Sequence, residues 1–196
     1  MTVSSFRERL AEPGVLILDG ALGTELERRG IPTPEPLWSA EALLSDNGMS
    51  AIREIHEAYI RSGADIITAN TFRSNLRAAQ KRGIGDRAEA ITTTAVELAI
   101  QARRQVADRP VWVAGSIAPV EDCFSPWLVP DEDTLRHEHT VAARWLANTG
   151  VDLILVETMN RIDEARIATE TAVGTGLPVM TSFGGTPGGM LLSGEA

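Results

Sequence analysis

The sequence has one cysteine, Cys123, so no disulfide can form within the chain. A lone thiol fits a reducing compartment. Basic residues are short as well: 18 Lys and Arg stand against 27 Asp and Glu, for a net charge of −9 and a sequence pI near 4.9. This balance argues against a nucleic-acid partner, because phosphate-backbone binding rests on clustered Lys and Arg. No apolar run approaches the ~20 residues that a membrane span needs, so no membrane partner is expected. The opening MTVSSFRERL lacks the apolar core of a secretory signal, and the expected location is the cytoplasm. Internal repeats, low-complexity tracts and linker-like stretches are missing too. What remains is ordinary for a globular domain, with 43% hydrophobic and 23% charged residues. At roughly 100–200 residues per domain, the expectation is one domain over residues 1–196, able to bury a core without a staple.

Along the chain, short apolar runs alternate with longer segments of helical spacing. The runs are Val15–Asp19, Ala64–Asn70, Val111–Ile117, Asp152–Glu157 and Pro178–Ser182. Each is too short for a buried helix and apolar on both faces, as in a parallel sheet covered on both sides. Between them, Met49, Ile52, Ile55 and Tyr59 recur at helical spacing, as do Ile91, Ala95, Leu98 and Ala102. Asp86 and Glu89 have the spacing of a capping box for the second of these helices. Asp131 is placed to cap the next helix, whose apolar face holds Leu135, Ala142, Trp145 and Leu146. Ile162, Ala165, Ala168 and Ala172 mark the last. Gly63, Gly150 and Gly176 fall between a helix and the following strand, where a left-handed turn is often needed. Residues 118–130 read as a long loop, a length usually functional.

Five strands alternating with helices define an α/β fold. Length favours an open doubly wound sheet over a (β/α)8 barrel, which typically takes about 250 residues. The strand ends favour the barrel. Asp19-Gly20, Thr68 to Thr71, Gly115-Ser116, Glu157-Thr158 and Thr181-Ser182 put polar groups at one end of every strand. In a barrel these ends converge on one pocket. Helix capping would explain any one of them singly. Asp19 and Glu157 weigh more, because an acid buried after an apolar run needs a partner. Asp19 to Thr24 opens a helix whose free N–H groups suit a carboxylate or other anion. The stretch is neither a dinucleotide fingerprint nor a phosphate loop.

His137 and His139 lie two apart on a helix and point to different faces, so they read as surface residues and not as a metal pair. His56 reads as a hydrogen-bonded helix residue and the scattered tryptophans as packing. Cys123 has neither a second cysteine nor a nearby histidine, which argues against a zinc site or nucleophile built on it.

Several segments then become specific: Leu18-Asp-Gly-Ala-Leu-Gly-Thr-Glu-Leu26, Thr68-Ala-Asn-Thr-Phe-Arg-Ser-Asn75, Ala114-Gly-Ser-Ile-Ala-Pro119 and Val156-Glu-Thr158. In this order they resemble the homocysteine S-methyltransferase family. Val120 to Pro126 looks like the loop after the third strand in one branch of it. Ser182-Phe183 through Leu191 to Glu195 looks like the family's fifth strand and the loop after it.

The resemblance implies a (β/α)8 barrel of which this chain holds about the first five β/α units. It implies methyl transfer to the thiol of homocysteine, giving methionine, from S-methylmethionine, S-adenosylmethionine or another activated donor. By position, Asp19 and Glu157 match the acids that hold the homocysteine amino group. Gly20, Ala21, Leu22 and Gly23 would present backbone N–H groups to the carboxylate. Thr68, Asn70 and Thr71 would line the pocket, with Ser116 nearby. No residue is assigned as a catalytic acid or base. The family also implies zinc, held by cysteines after the sixth and eighth strands, and these ligands are not in this chain. Phe183 is followed by Gly184-Gly185, where the family usually has a threonine.

The expectation is therefore an incomplete methyltransferase domain, inactive alone, with open strand edges that invite self-association or a partner chain. A non-catalytic amino-acid-binding relative is the alternative. A third reading, apart from the resemblance, is an open α/β enzyme whose strand-end carboxylates hold a divalent cation.

Overall fold

The structure, a computed structural model, describes residues 5–195. Its core is a parallel sheet of four strands, β1 (Ile66–Ala69), β2 (Trp112–Ile117), β3 (Leu153–Met159) and β4 (Val179–Phe183), paired strictly in that order. An open doubly wound sheet reverses its strand order at a switch point. Sequential order belongs to a barrel wall and decides between the two expected architectures.

The expected first strand is reduced to one parallel bridge, Leu18 to Ile66. Asp19 N–H still donates to Ile66 O at 2.9 Å, and Ile66 N–H to Ile17 O at 3.1 Å. The segment has a neighbour on one side only. Val15 and Ile17 are exposed, so little burial enforces regular pairing there. At the other edge, β4 is also largely exposed.

Seven helices accompany the strands among the described residues: α1 (Phe6–Leu10), α2 (Leu22–Arg28), α3 (Asp46–Arg61), α4 (Leu76–Lys81), α5 (Ala88–Val106), α6 (Glu132–Ala147) and α7 (Ile162–Val173). The predicted stripes largely face inward. Ile52 and Ile55 of α3, Ile91, Ala95 and Ala102 of α5, Leu135 and Leu146 of α6, and Ala165, Ala168 and Ala172 of α7 are buried. These helices cover one face of the sheet, packing on Ile67, Val113, Ile154 and Val156. The other face carries Ile66, Trp112, Ala114, Leu153 and Leu155, on which Phe6 of α1 packs edge-on to Trp112 at 5.8 Å.

Asp131 caps α6 as predicted, accepting from Thr134 N–H at 3.0 Å. Gly63, Gly150 and Gly176 have φ of 107°, 85° and 82°, in keeping with left-handed turns that a side chain would strain. The capping box at Asp86 and Glu89 does not form. A 3-10 turn over Gly85–Arg87 leads into α5, and no side chain caps the helix. Asn75 caps α4 at 2.8 Å and Ser45 caps α3 at 3.1 Å, both unforeseen.

Three readings are corrected. His139 is 1% exposed, because α6 turns it toward α7, where it meets Glu164. His56 is buried, with neither ring nitrogen hydrogen-bonded among the described residues, and burial lowers its pKa to about 4, so it is neutral. The tryptophans do not all pack: Trp127 is 75% exposed on the loop of residues 118–130, while Trp112 is a core residue.

Candidate functional site

Side chains alternate across a strand, so residues two apart share a face. Following Ile66, Trp112 and Leu153 upward along the inner face leads to Thr68, Ser116 and Glu157. The apolar floor thus gives way to polar residues at the carboxyl ends of the strands. A cavity of about 570 Å³ opens there.

Asp19 to Gly23, Thr68, Asn70 and Glu157 line this cavity. Asp19 is held by Thr68 twice, through the backbone N–H at 2.8 Å and the hydroxyl at 2.9 Å. Burial nevertheless raises its pKa to about 6; the Thr68 hydrogen bonds pull the other way, and the Glu157 charge adds to the rise. Glu157 is also raised by burial, against the lowering effect of the Ser116 hydroxyl. Neither acid forms an ion pair with a basic side chain among the described residues. Two desolvated carboxylates in one cavity make a strong local demand for a cation.

Thr71 and Ser116 sit behind the lining. The Thr71 hydroxyl donates to Ser116 O at 2.9 Å and accepts from Ser116 N–H at 2.8 Å, fastening the end of β1 to β2. Ser116 then reaches the cavity through Glu157. Asn70 has both ends of its amide engaged, accepting from the Ser39 hydroxyl at 2.7 Å and donating to Ser39 O at 2.9 Å. It thereby anchors the 3-10 turn Trp38–Leu44, which brings Trp38 to the cavity wall.

Two glycines are explained by close approach. A Cβ on Gly23 would lie 2.4 Å from the Trp38 ring, and one on Gly20 would lie 2.8 Å from Tyr59 Oη. Helix α2 begins at Leu22 with no side-chain cap from Ala21, which leaves its first N–H groups for another acceptor. Thr158, directly after Glu157, has φ of 59°, a costly conformation for a β-branched residue and a common one at functional sites.

Trp38, Phe72, Arg73 and Cys123 also line the cavity and were not foreseen. Arg73 lies inside the Thr68 to Asn75 segment, where a basic residue among small polar ones was a usable signal. Trp38 and Cys123 come from loops and left no local signal. Burial raises the Cys123 thiol pKa, so it stays protonated.

The fold and site together define a barrel-type α/β protein with an acidic pocket at the strand ends. A family model described as "Homocysteine S-methyltransferase" matches residues 16–196, and the chain belongs to that family. It is similar to a selenocysteine Se-methyltransferase of Brassica oleracea var. italica, 29% identical over all of this chain and 63% of the relative. It is also similar to a homocysteine S-methyltransferase of Escherichia coli strain K12, 29% identical over 84% of this chain and 56% of that protein. Among solved structures, the metallated form of the Escherichia coli homocysteine methyltransferase MmuM superposes with a TM-score of 0.84. The identity is 26%, covering 96% of this chain and 69% of that one. The chain spans about three fifths of the length of the first two curated relatives it matches.

The residues present do not fit a zinc ion. No group of three His, Cys, Asp or Glu among the described residues is placed to hold a metal, and Cys123 stands alone with a protonated thiol. No helix among the described residues is long and apolar enough to cross a membrane.

Proposed function

We propose that the cavity binds L-homocysteine, and that the protein serves methyl transfer from an activated donor to the homocysteine sulfur, in methionine biosynthesis. The observation that carries this reading is the pair Asp19 and Glu157: two carboxylates raised by burial, in one cavity, with no basic partner. An α-ammonium group supplies the cation they need. The uncapped start of α2, from Leu22, offers backbone donors to the α-carboxylate. Thr68 orients Asp19 and Ser116 orients Glu157, so the amino acid is held by groups already fixed in place.

In the transfer, the sulfur attacks the methyl carbon. A new S–C bond forms, the carbon–donor bond breaks with its electron pair staying on the donor, and the thiol proton passes to solvent. Alignment of the two reactants is this cavity's contribution. Location in the cytoplasm belongs to the same reading. So does edge-to-edge self-association or a partner chain along β4 and residues 15–18, whose apolar side chains are exposed.

The test is calorimetric titration of the 196-residue chain with L-homocysteine and with 4-mercaptobutyrate, which lacks the amino group. Homocysteine binds and the deamino analogue does not. Glu157→Gln weakens homocysteine at least about tenfold, as expected for loss of a charge-assisted contact. A second reading, an amino-acid-binding relative without catalysis, rests on the same pair of carboxylates in the cavity. It predicts the same homocysteine affinity with and without a chelator, and no methionine formed when zinc and donor are added.

A further inference from the structure

Arg73 is a buried cation that the amino-acid reading leaves unused. It follows Phe72 in the loop after β1, lines the same cavity as Asp19 and Glu157, and is 6% exposed. A guanidinium carries five N–H donors and is costly to bury unless an anion meets it.

Its present partners meet that need only in part. One terminal nitrogen donates to the backbone carbonyl of Glu121 at 2.7 Å. The other forms a long ion pair with an Asp122 carboxylate oxygen, at 3.8 Å, too far for a hydrogen bond. Asp122 is committed elsewhere: it accepts from the Ser125 hydroxyl at 2.7 Å and from Phe124 N–H at 3.2 Å. The Arg73 Nε has no hydrogen-bond partner among the described residues. Meanwhile the guanidinium is held in orientation. It sits 5.9 Å from the Phe72 ring centroid, and Phe72 stacks edge-on to Trp38 at 5.7 Å.

A fixed, underused guanidinium in a cavity wall is shaped for a planar, two-oxygen anion. In the amino-acid reading the homocysteine carboxylate accepts from the N–H groups at the start of α2, next to Asp19 in the chain. Arg73 comes from a different loop, packed against the segment of Glu121 to Phe124. We propose that Arg73 binds the carboxylate of the methyl donor. This rests on the reading of the cavity as a homocysteine site. It selects among activated methyl compounds by charge at the end remote from the methyl group.

The experiment is calorimetric titration of the full chain, saturated with L-homocysteine and with chelator present. The probes are S-methyl-L-methionine and its carboxamide, which keeps the sulfonium and loses the negative charge. The wild-type protein prefers the carboxylate probe by at least about tenfold, the scale of one charge-assisted pair. Arg73→Met removes the preference, and Arg73→Lys, which keeps the charge without the fork, retains part of it. Homocysteine affinity changes by less than about threefold in both variants, which also reports that they fold. Equal binding of the two probes to wild type, binding of neither, or a preference that survives Arg73→Met overturns the assignment. The wild-type comparison decides by itself if the variants do not fold. Failure of homocysteine to bind the wild-type chain overturns the homocysteine reading instead, and that is seen before any donor is added.

Discussion

The Ser116 hydroxyl donates to Glu157 Oε1 at 2.5 Å, across the pairing of β2 with β3. Glu157 has no basic partner among the described residues, so this hydroxyl is the contact that favours its ionised form. Ser116→Ala removes it. The Glu157 pKa rises further, and homocysteine affinity at pH 7 falls by about tenfold, the value of a hydrogen bond to a charged group. Carboxyl-carbon NMR titration and calorimetry read the two effects. An unchanged Glu157 titration in the variant would refute the coupling.

Asp19 carries a pH signature of unusual sign. Its folded pKa of about 6 lies above the ordinary aspartate value of 3.8. Between these two values the folded state binds more protons than the unfolded state, so this group's contribution to stability falls as pH rises through the window. Asp19→Asn removes the dependence and makes the free protein more stable at pH 7, by about 1–2 kcal/mol after allowance for its partial exposure. Ligand binding runs the opposite way: wild-type affinity for homocysteine falls as pH drops below about 6, because the ammonium needs the carboxylate. Denaturant melts and titrations from pH 4 to 8 check both slopes.

Glu164 holds the loop of residues 118–130 to α7. Its Oε1 accepts from Val120 N–H at 2.8 Å and lies 3.2 Å from His139 Nε2, all of it buried. Glu164→Ala orphans both groups and destabilises the protein by about 3 kcal/mol, as breaking a buried polar pair does. The conservative Glu164→Gln keeps an acceptor for Val120 and costs less than half as much. Equal losses in the two variants, measured by urea unfolding, would show that charge and not hydrogen bonding holds the loop.

Much of the fold was legible because its signals are local. Alternation of short apolar runs with helical stripes is written in neighbouring residues. Glycines 63, 150 and 176 mark the helix-to-strand turns for the same reason, and the strand ends announced Asp19, Thr68 and Glu157. The failures were also physical. Asp86 and Glu89 had the spacing of a capping box, but the chain enters α5 through a 3-10 turn that takes Asp86 out of register. His139 looked like a surface residue on spacing alone, and α7 arrived to cover it. Thr71 and Asn70 looked alike in sequence. One fastens two strands, and the other pins the turn that carries Trp38.

By itself the sequence determined an α/β chain with acids at the strand ends and a family likeness, because periodicity, turn chemistry and motif order are properties of adjacent residues. Tertiary structure decided that the strands follow in sequential order as a barrel wall, and that Trp38, Arg73 and Cys123 share a cavity with Asp19 and Glu157. It also decided that Arg73 is buried with donors to spare. Those facts depend on loops from distant parts of the chain meeting above the sheet, and the desolvation that raises both acids exists only once they have met.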